Sequence, residues 1–378
     1  MFWLSWIFAS TAVWAATPEQ ILKTAWTDQT YLVHDEIKST DSKNPFRSVD
    51  AFASTEDKSK PDTEVGLKFQ LKSWPEWRSG RSRLGQQRLQ KESALSWALR
   101  DRYGLLANYQ LNQQKLKLLS EAKATSEAFS KAQALSLKAG RSTQKTFLNA
   151  QSEEYKLKRM ENTIELEQEI LKDKIQRWLG ADKDKSLESY ELVSVDDIYK
   201  AVKETAPEGS LTAKLAGEEL TNIGQELEIV RGRENQWVKS FEVSHVKKPD
   251  ESHYQFEVTL QLPPFGSDDM LREKQNELIL KKALKQREIE NTGDRLKIMR
   301  LQILNLVEIY QIEKKKRGSF VKGADPLVNL EAKLTSLEEQ VDLLNQQQEV
   351  TLLYLDYLLE NESLAKEPEK NFLIAGKR

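Results

Sequence analysis

The spacing of the prolines is the sequence feature that most constrains what this chain can fold into. The chain has 10 prolines, and none lies between Pro75 and Pro207 or between Pro264 and Pro326. The first of these gaps, residues 76–206, spans 131 residues and is rich in alanine, leucine, glutamate, lysine and glutamine. Proline breaks a helix interior, whereas these other residues favour helix. The sequence therefore predicts a mainly helical protein with very long helices.

Composition excludes several classes of protein. The 57 Lys and Arg residues nearly balance the 59 Asp and Glu residues, which disfavours a dedicated nucleic-acid binder. Because the chain has no cysteine, it has no disulfides, thiolate metal sites or cysteine nucleophile. The mean hydropathy of −0.64 excludes a bundle of membrane helices, since each such helix needs about 20 apolar residues.

The sequence shows no constellation of residues that would support catalysis or cofactor binding. Its histidines are His34, His245 and His253, and it contains neither a Gly-x-Ser-x-Gly motif nor a phosphate-binding loop. His245 and His253 flank a predicted turn and can approach each other across it. Two ligands are too few for a zinc site, so a surface pair is the favoured interpretation. We predict no catalytic, cofactor-binding or metal-ligating residues, and no enzyme activity.

The first 15 residues have the pattern of a signal peptide. Residues 1–15 are apolar and uncharged, and small residues at Ala15 and Ala16 provide a cleavage site. A buried N-terminal helix is the alternative interpretation. A secreted chain without cysteine fits a Gram-negative envelope protein that needs no disulfide.

Two Lys-Pro-Asp motifs, at residues 60–62 and 248–250, mark a unit that occurs twice, with a period of roughly 180 to 190 residues. Each motif precedes a segment of alternating apolar and polar residues, Val65–Leu71 and Tyr254–Leu262. Such alternation is typical of strands with one apolar and one polar face. A less regular strand precedes each motif, and Pro and Asp favour the turn between them. The sequence therefore predicts two β-hairpins, over residues 45–73 and 236–263.

A helical hairpin is predicted after each β-hairpin. The first long helix, Arg83–Ala139, is followed by Gly140-Arg141-Ser142-Thr143, and the second, Asp269–Arg317, by glycines and Pro326. Glycine after a helix end and Ser, Thr or Pro at the next start are typical of helix boundaries. At ~1.5 Å per residue these helices reach ~75–85 Å, which favours antiparallel coiled-coil hairpins over a compact domain. The predicted organisation is a signal peptide, two repeats that contain helical hairpins 83–180 and 269–362, and a tail, with boundaries at 1–15, 16–180, 181–362 and 363–378.

Several stretches of sequence, found in the same order in both halves, carry a resemblance to a known family. They are LKSWPEWRSGRSR at 71–83 with LQLPPFG at 260–266, GRST at 140–143 with FLNAQ at 147–151, Gly323 with Leu330-Glu331-Ala332, and Trp178-Leu179-Gly180. Together they resemble the TolC-like family of outer-membrane efflux proteins over essentially the whole mature chain.

The resemblance implies both a fold and a function. Each chain of a homotrimer would give four strands to a shared twelve-stranded β-barrel in the outer membrane, and the long helices would extend the duct as an α-barrel into the periplasm. The trimer would be a passive exit channel for efflux or type I secretion, driven by an inner-membrane pump through a periplasmic adaptor. The alternative is a non-conducting periplasmic coiled-coil scaffold or a degenerate relative.

The resemblance also implies roles for particular residues. Asn329 and Glu331 lie nearest the positions that surround the periplasmic aperture. Trp74 and Trp77 are either interfacial anchors or residues packed where the barrel meets the helices. The basic run Lys314–Arg317 is interpreted first as solvated surface and second as an adaptor contact. The residues at the tips of the helical hairpins would dock the adaptor: Gly140, Arg141, Ser142, Thr143, Gly323, Ala324, Asp325 and Pro326.

Overall fold

The computed structural model of the chain describes residues 16–36, 44–56, 62–78, 82–180, 187–204, 210–248, 250–260, 269–316, 325–368 and 370–374. The predicted signal peptide, together with Gly323 and Ala324, lies outside these residues. The short helices are α1 (Pro18–Lys23), α2 (Gln29–Glu36), α3 (Trp74–Arg78), α6 (Val195–Glu204) and α11 (Ser363–Lys366). The long helices are α4 (Ser82–Lys138), α5 (Gln144–Leu179), α7 (Leu211–Glu234), α8 (Asp269–Gly293), α9 (Arg295–Lys316) and α10 (Pro326–Glu360). The strands are β1 (Phe46–Glu56), β2 (Asp62–Leu71), β3 (Val238–Lys247) and β4 (Ser252–Leu260).

The chain is mainly α with a small antiparallel β part, which confirms the coarse fold class predicted from the sequence. The longest helix, α4, has 57 residues without interruption. The absence of proline over this stretch permits that length, because every backbone amide in a helix interior must donate to the preceding turn.

The contacts divide the chain into two units, and one of them contains the sheet. This sheet unit comprises His34–Glu92 and Leu211–Asp294. Its four strands are antiparallel and follow the chain in the order β1-β2-β3-β4. Helices α7 and α8 pack together through a core of Leu227, Val230 and Leu278.

The second unit is built from long antiparallel helices. It comprises Met1–Val33, Ser93–Ser210 and Arg295–Arg378. Ion pairs join α4 to α5, where Lys123 Nζ lies 2.7 Å from Glu161 Oε2. They also join α4 to α10, where Arg100 Nε lies 2.7 Å from Asp356 Oδ1. Side chains of all three helices share one apolar core: Leu119, Ala122, Leu157, Leu334, Leu337 and Val341.

The prediction of one continuous helix over Asp269–Arg317 is wrong. The helix breaks at Asp294, which separates the 25-residue α8 from the 22-residue α9. The break follows Asn291-Thr292-Gly293, three residues of low helix propensity. Proline spacing did not reveal this break because no proline is needed to make it.

Candidate lumen face, membrane face and helical tips

One face of the sheet is apolar and open to solvent in the isolated chain. On β4, the edge strand, Tyr254 is 71% exposed and Phe256 is 74% exposed. Strand pairing places His245 beside Tyr254 and Val243 beside Phe256, so the same face continues onto β3. We call it the apolar face. At the hairpin turns it ends with the polar residues Thr63, Lys247 and Ser252, and its other members are Val49, Ala51, Ala53, Val65, Leu67, Phe69, Phe241, Val243, His245, Tyr254, Phe256 and Val258. A continuous exposed surface of this kind marks contact with lipid or with another protein.

The opposite face of the sheet is polar. Phe52 is an exception on this face and lies over Gly66, where an added Cβ would come within 2.6 Å of the Phe52 ring. We call this side the polar face, and its hydrophilic members are Ser48, Asp50, Ser54, Glu64, Lys68, Gln70, Ser240, Glu242, Ser244, His253, Gln255, Glu257 and Thr259. An apolar face and a polar face on alternate residues fit a strand between lipid and an aqueous lumen.

The two edges of the described sheet are β1 and β4. Every residue of β4 is exposed, including its apolar residues. The outer edge of such a strand presents backbone groups that can pair with another strand.

The expectation that His245 and His253 approach each other is wrong. His245 pairs with Tyr254, and its ring lies 5.0 Å from the Tyr254 ring, whereas His253 pairs with Val246. Because adjacent residues of a strand point to opposite faces, the two histidines lie on opposite sides of the sheet. Among the residues that the structure describes, no group of three or more His, Cys, Asp or Glu side chains is arranged to hold a metal ion.

An ionic contact holds the short helix α3 beside the ends of the sheet strands. Glu76 lies 2.8 Å from Arg47 Nη2 and 2.8 Å from Arg233 Nη2. Burial opposes the ionised form of Glu76, but hydrogen bonds from both arginines outweigh it and lower the Glu76 pKa to about 2. On the same helix the Trp74 and Trp77 rings are exposed and lie 5.1 Å apart. The strand end therefore carries two exposed indoles on a helix that is fixed by ion pairs.

The Glu76 contact predicts acid sensitivity of the sheet unit. Because the pKa falls from 4.5 to about 2, the stabilisation is present above pH 4.5 and is lost as the pH falls towards 2. We expect Glu76→Gln to lower the free energy of unfolding at pH 7 by about 1–2 kcal/mol, since solvent screens the arginines. The difference from the wild type should shrink at low pH. Thermal unfolding at several pH values measures this, with Glu273→Gln on the exposed surface of α8 as control, and an equal loss at pH 7 and pH 2 would contradict the assignment.

The turn between α4 and α5 is built by local hydrogen bonds. Gly140 has φ of 71°, and the amides of Gly140 and Arg141 donate to the carbonyls of Leu137 and Ser136. This is the Schellman arrangement that ends a helix on glycine. Thr143 then caps α5 by accepting from the Thr146 amide, and Ser142 donates to Gln133. Gly140, Ser142 and Thr143 of the predicted first tip thus have defined roles in the turn, and the Arg141 side chain is exposed.

Gly140→Ala is expected to destabilise this tip by about 1–2 kcal/mol, because alanine is strained in the left-handed backbone conformation of Gly140. No neighbouring atom would contact the added Cβ, so the backbone conformation is the cause. Gly217→Ala is the matched control. Gly217 lies inside α7 with no atom near an added Cβ, so alanine should stabilise that helix by about 1 kcal/mol. Thermal unfolding compares the two variants, and a neutral Gly140→Ala would show that the turn changes its backbone freely.

The predicted second tip is described only from Asp325 onwards. Asp325 caps α10 by accepting from the Leu327 amide at 2.9 Å, and Pro326 occupies the first turn. Glu331 is exposed and Asn329 is half-buried. Lys333 of α10 pairs with Glu121 of α4 at 2.8 Å, which places these two residues at the same level. More residues of α4 follow Glu121 than residues of α10 precede Lys333, so α4 continues ~15 Å past the level at which α10 begins. The structure therefore does not bring Asp325 and Pro326 to the level of the Gly140 turn.

Buried polar contacts between the long helices were missed by sequence reasoning. Lys115 is buried in α4 and donates to Gln348 of α10, which in turn donates to Asn108. Burial lowers the Lys115 pKa, and the charge of Glu167 opposes that shift. The only sequence signal was a group of polar residues within an otherwise apolar stripe.

The predicted basic run lies at the end of α9. Lys314–Lys316 are exposed there, and Arg317 lies outside the described residues.

A pair of carboxyl groups, Glu153 on α5 and Glu338 on α10, joins these two helices. Burial, together with the hydrogen bond and negative charge of Glu153, raises the Glu338 pKa to about 7. The hydrogen bond from Glu338 in turn lowers the Glu153 pKa. Lys156 and Asp342 are the other charged groups that act on Glu338.

This carboxyl pair predicts a loss of stability as the pH rises. The Glu338 pKa is raised from 4.5 to about 7, so between these two pH values the unfolded state has lost its proton while the folded state still holds it. The free energy of unfolding therefore falls as the pH rises through this range. Glu338→Gln is expected to flatten the pH dependence of the melting temperature over this range. Glu339→Gln is the control, because Glu339 follows Glu338 in the chain and its side chain is exposed. This variant should keep the pH dependence of the wild type. Identical profiles for wild type and Glu338→Gln would contradict the assignment.

No protein-family model matches the sequence, and no curated protein matches it either. Solved structures do match it. The outer-membrane channel CmeC of Campylobacter jejuni is 15% identical with a TM-score of 0.55, covering 96% of this chain and 89% of that chain. CusC, whose structures concern folding and transmembrane channel formation, is 11% identical with a TM-score of 0.62. The match covers 91% of this chain and 92% of that chain. The MtrE channel of Neisseria gonorrhoeae is 12% identical with a TM-score of 0.53 and coverages of 92% and 88%.

The chain has the fold of the outer-membrane channels. The resemblance found in the sequence is thus confirmed at the level of the fold. Within the described part of the chain, no helix is both long enough and apolar enough to span a membrane.

Proposed function

We propose that this chain is the subunit of a trimeric outer-membrane channel that serves as the passive exit duct of an efflux or type I secretion system. The observation that carries the proposal is a sheet with one apolar and one polar face in a chain with the outer-membrane channel fold. Conduction requires no covalent step, and the energy would come from a partner pump.

Strand length and the sheet edges support a trimer with a shared barrel. The strands have 11, 10, 10 and 9 residues, and about 9–11 residues suffice for a tilted strand to cross a membrane. A lone four-stranded sheet leaves both edges, β1 and β4, without partners in lipid. Pairing β1 of one copy with β4 of the next closes a twelve-stranded barrel from three copies.

The helical tips are the proposed docking points for a periplasmic adaptor. The turn Gly140–Thr143 is exposed at the end of the α4–α5 hairpin, and Asp325 and Pro326 begin α10. Three copies of Glu331 near one axis would repel each other and bias passage by charge. Neutralising Asp325 and Glu331 together should change the conductance and ion selectivity of the reconstituted protein, and unchanged values would contradict a role at the aperture.

Fractionation and conductance test the proposed function. Full-length protein made in a Gram-negative cell should lose its first 15 or 16 residues, enter the outer-membrane fraction and migrate as a heat-sensitive trimer on a gel. Purified trimer added to a planar lipid bilayer should give stepwise increases in conductance. A soluble monomer that gives no conductance would favour the alternative, a periplasmic coiled-coil scaffold.

A further inference from the structure

Strand pairing aligns four charged residues in one row across the whole sheet. Asp50 of β1 pairs with Lys68 of β2, Lys68 pairs with Glu242 of β3, and Glu242 pairs with Glu257 of β4. All four lie on the polar face, since residues that pair directly share a face. We call this row the charged level.

The rows on either side of the charged level carry no charge. On one side the paired residues are Phe52, Gly66, Ser244 and Gln255. On the other side they are Ser48, Gln70, Ser240 and Thr259. The charge of this part of the polar face is therefore concentrated at one level.

The charged level has an excess of negative charge. Lys68 Nζ lies 3.5 Å from Glu242 Oε2, so one carboxylate is paired with the ammonium. Asp50 accepts from Ser48 and Gln70, which are neutral, and Glu257 is exposed. Lys68 is the only lysine or arginine among the paired residues of the polar face whose side chains the structure describes. Three carboxylates against one ammonium leave a net charge of −2 on each chain at this level.

We propose that the charged level determines the ion selectivity of the β part of the channel and makes it favour cations. The inference rests on the proposed function, because it needs the polar face to line a lumen. In a trimer, threefold symmetry repeats the row three times around the lumen, with a total charge of −6. A lumen enclosed by a low-dielectric wall concentrates counter-ions and repels co-ions through this field. The row acts through its field on passing ions and does not hold one ion in place.

The reversal potential of single channels in a KCl gradient tests the proposal. Wild-type trimer in a planar bilayer should prefer K⁺ over Cl⁻. Glu242→Gln/Glu257→Gln should reduce that preference, on the order of threefold at low salt, because the row then becomes neutral. Lys68→Gln should shift it in the opposite direction, since the row becomes more negative. Both effects should shrink at high salt, where ions screen the charges.

Matched variants separate this inference from the proposed function. Glu251→Gln neutralises a carboxylate in the β3–β4 turn, outside the charged level, and should keep the wild-type reversal potential. Glu257→Gln alone serves if the double variant does not form trimers, since Glu257 is exposed and on the edge strand. If wild type, Glu257→Gln and Lys68→Gln all form conducting trimers with the same reversal potential, the inference is overturned and the proposed channel function stands. Wild-type protein that forms no channel would overturn both.

Discussion

Phe256→Arg is expected to abolish assembly of the proposed trimer in the outer membrane. Phe256 lies at the middle of β4 and is 74% exposed on the apolar face of the sheet. An arginine at the midplane of a lipid-facing strand costs about 2–4 kcal/mol, and a trimer carries three of them, about 6–12 kcal/mol in all. The heat-sensitive trimer band in the outer-membrane fraction measures this loss.

The adjacent residue provides the control. Gln255 lies on the same strand but on the polar face, where it pairs with Ser244. Gln255→Arg introduces the same side chain one residue away and should assemble like the wild type, because its guanidinium faces water. Equal assembly of the two variants would show that the apolar face does not meet lipid.

Leu157→Ala is expected to lower the free energy of unfolding by about 2–5 kcal/mol, the range for removing a buried leucine side chain. Leu157 of α5 is 2% exposed and lies in the core that joins α5 to α4 and α10. Truncating it leaves a cavity in the apolar core where the three helices meet. Thermal or denaturant unfolding of the detergent-solubilised protein measures the loss.

Leu157→Met controls for the loss of volume. Methionine keeps most of the volume of leucine, so the cost should stay below about 1.5 kcal/mol. If Leu157→Ala and Leu157→Met were equally stable, the helices would not depend on this core, and the three-helix packing would be contradicted.

Many of the helices and strands could be predicted from the sequence because local rules determine them. Absence of proline allowed α4, and Gly140 and Thr143 marked the turn that follows it. Period-two alternation located β2 and β4 to within a few residues. The break at Asp294 was missed because Asn, Thr and Gly only weaken a helix, and tertiary context decides whether it continues.

The candidate site could be predicted only in part. The sequence singled out Trp74 and Trp77, but it did not indicate that Glu76 between them binds Arg47 and Arg233. It paired His245 with His253 by proximity along the chain, and the strand register separated them. The partners of the buried Lys115 and the Glu153–Glu338 pair could not be predicted, since each depends on which helix lies opposite.

The sequence by itself determined the helical character, the two hairpins and the apolar and polar alternation of the strands, because these follow from backbone geometry and from residues close together in the chain. Only the tertiary structure decided which residues of distant segments meet. The pairing of β2 with β3 joins residues more than 150 positions apart. It brings the Asp50–Lys68 pair of the first hairpin and the Glu242–Glu257 pair of the second into one row. A shift of that pairing by one residue would turn every side chain of a strand to the opposite face. Register is therefore the property that converts an alternating sequence into a candidate membrane face and a candidate lumen.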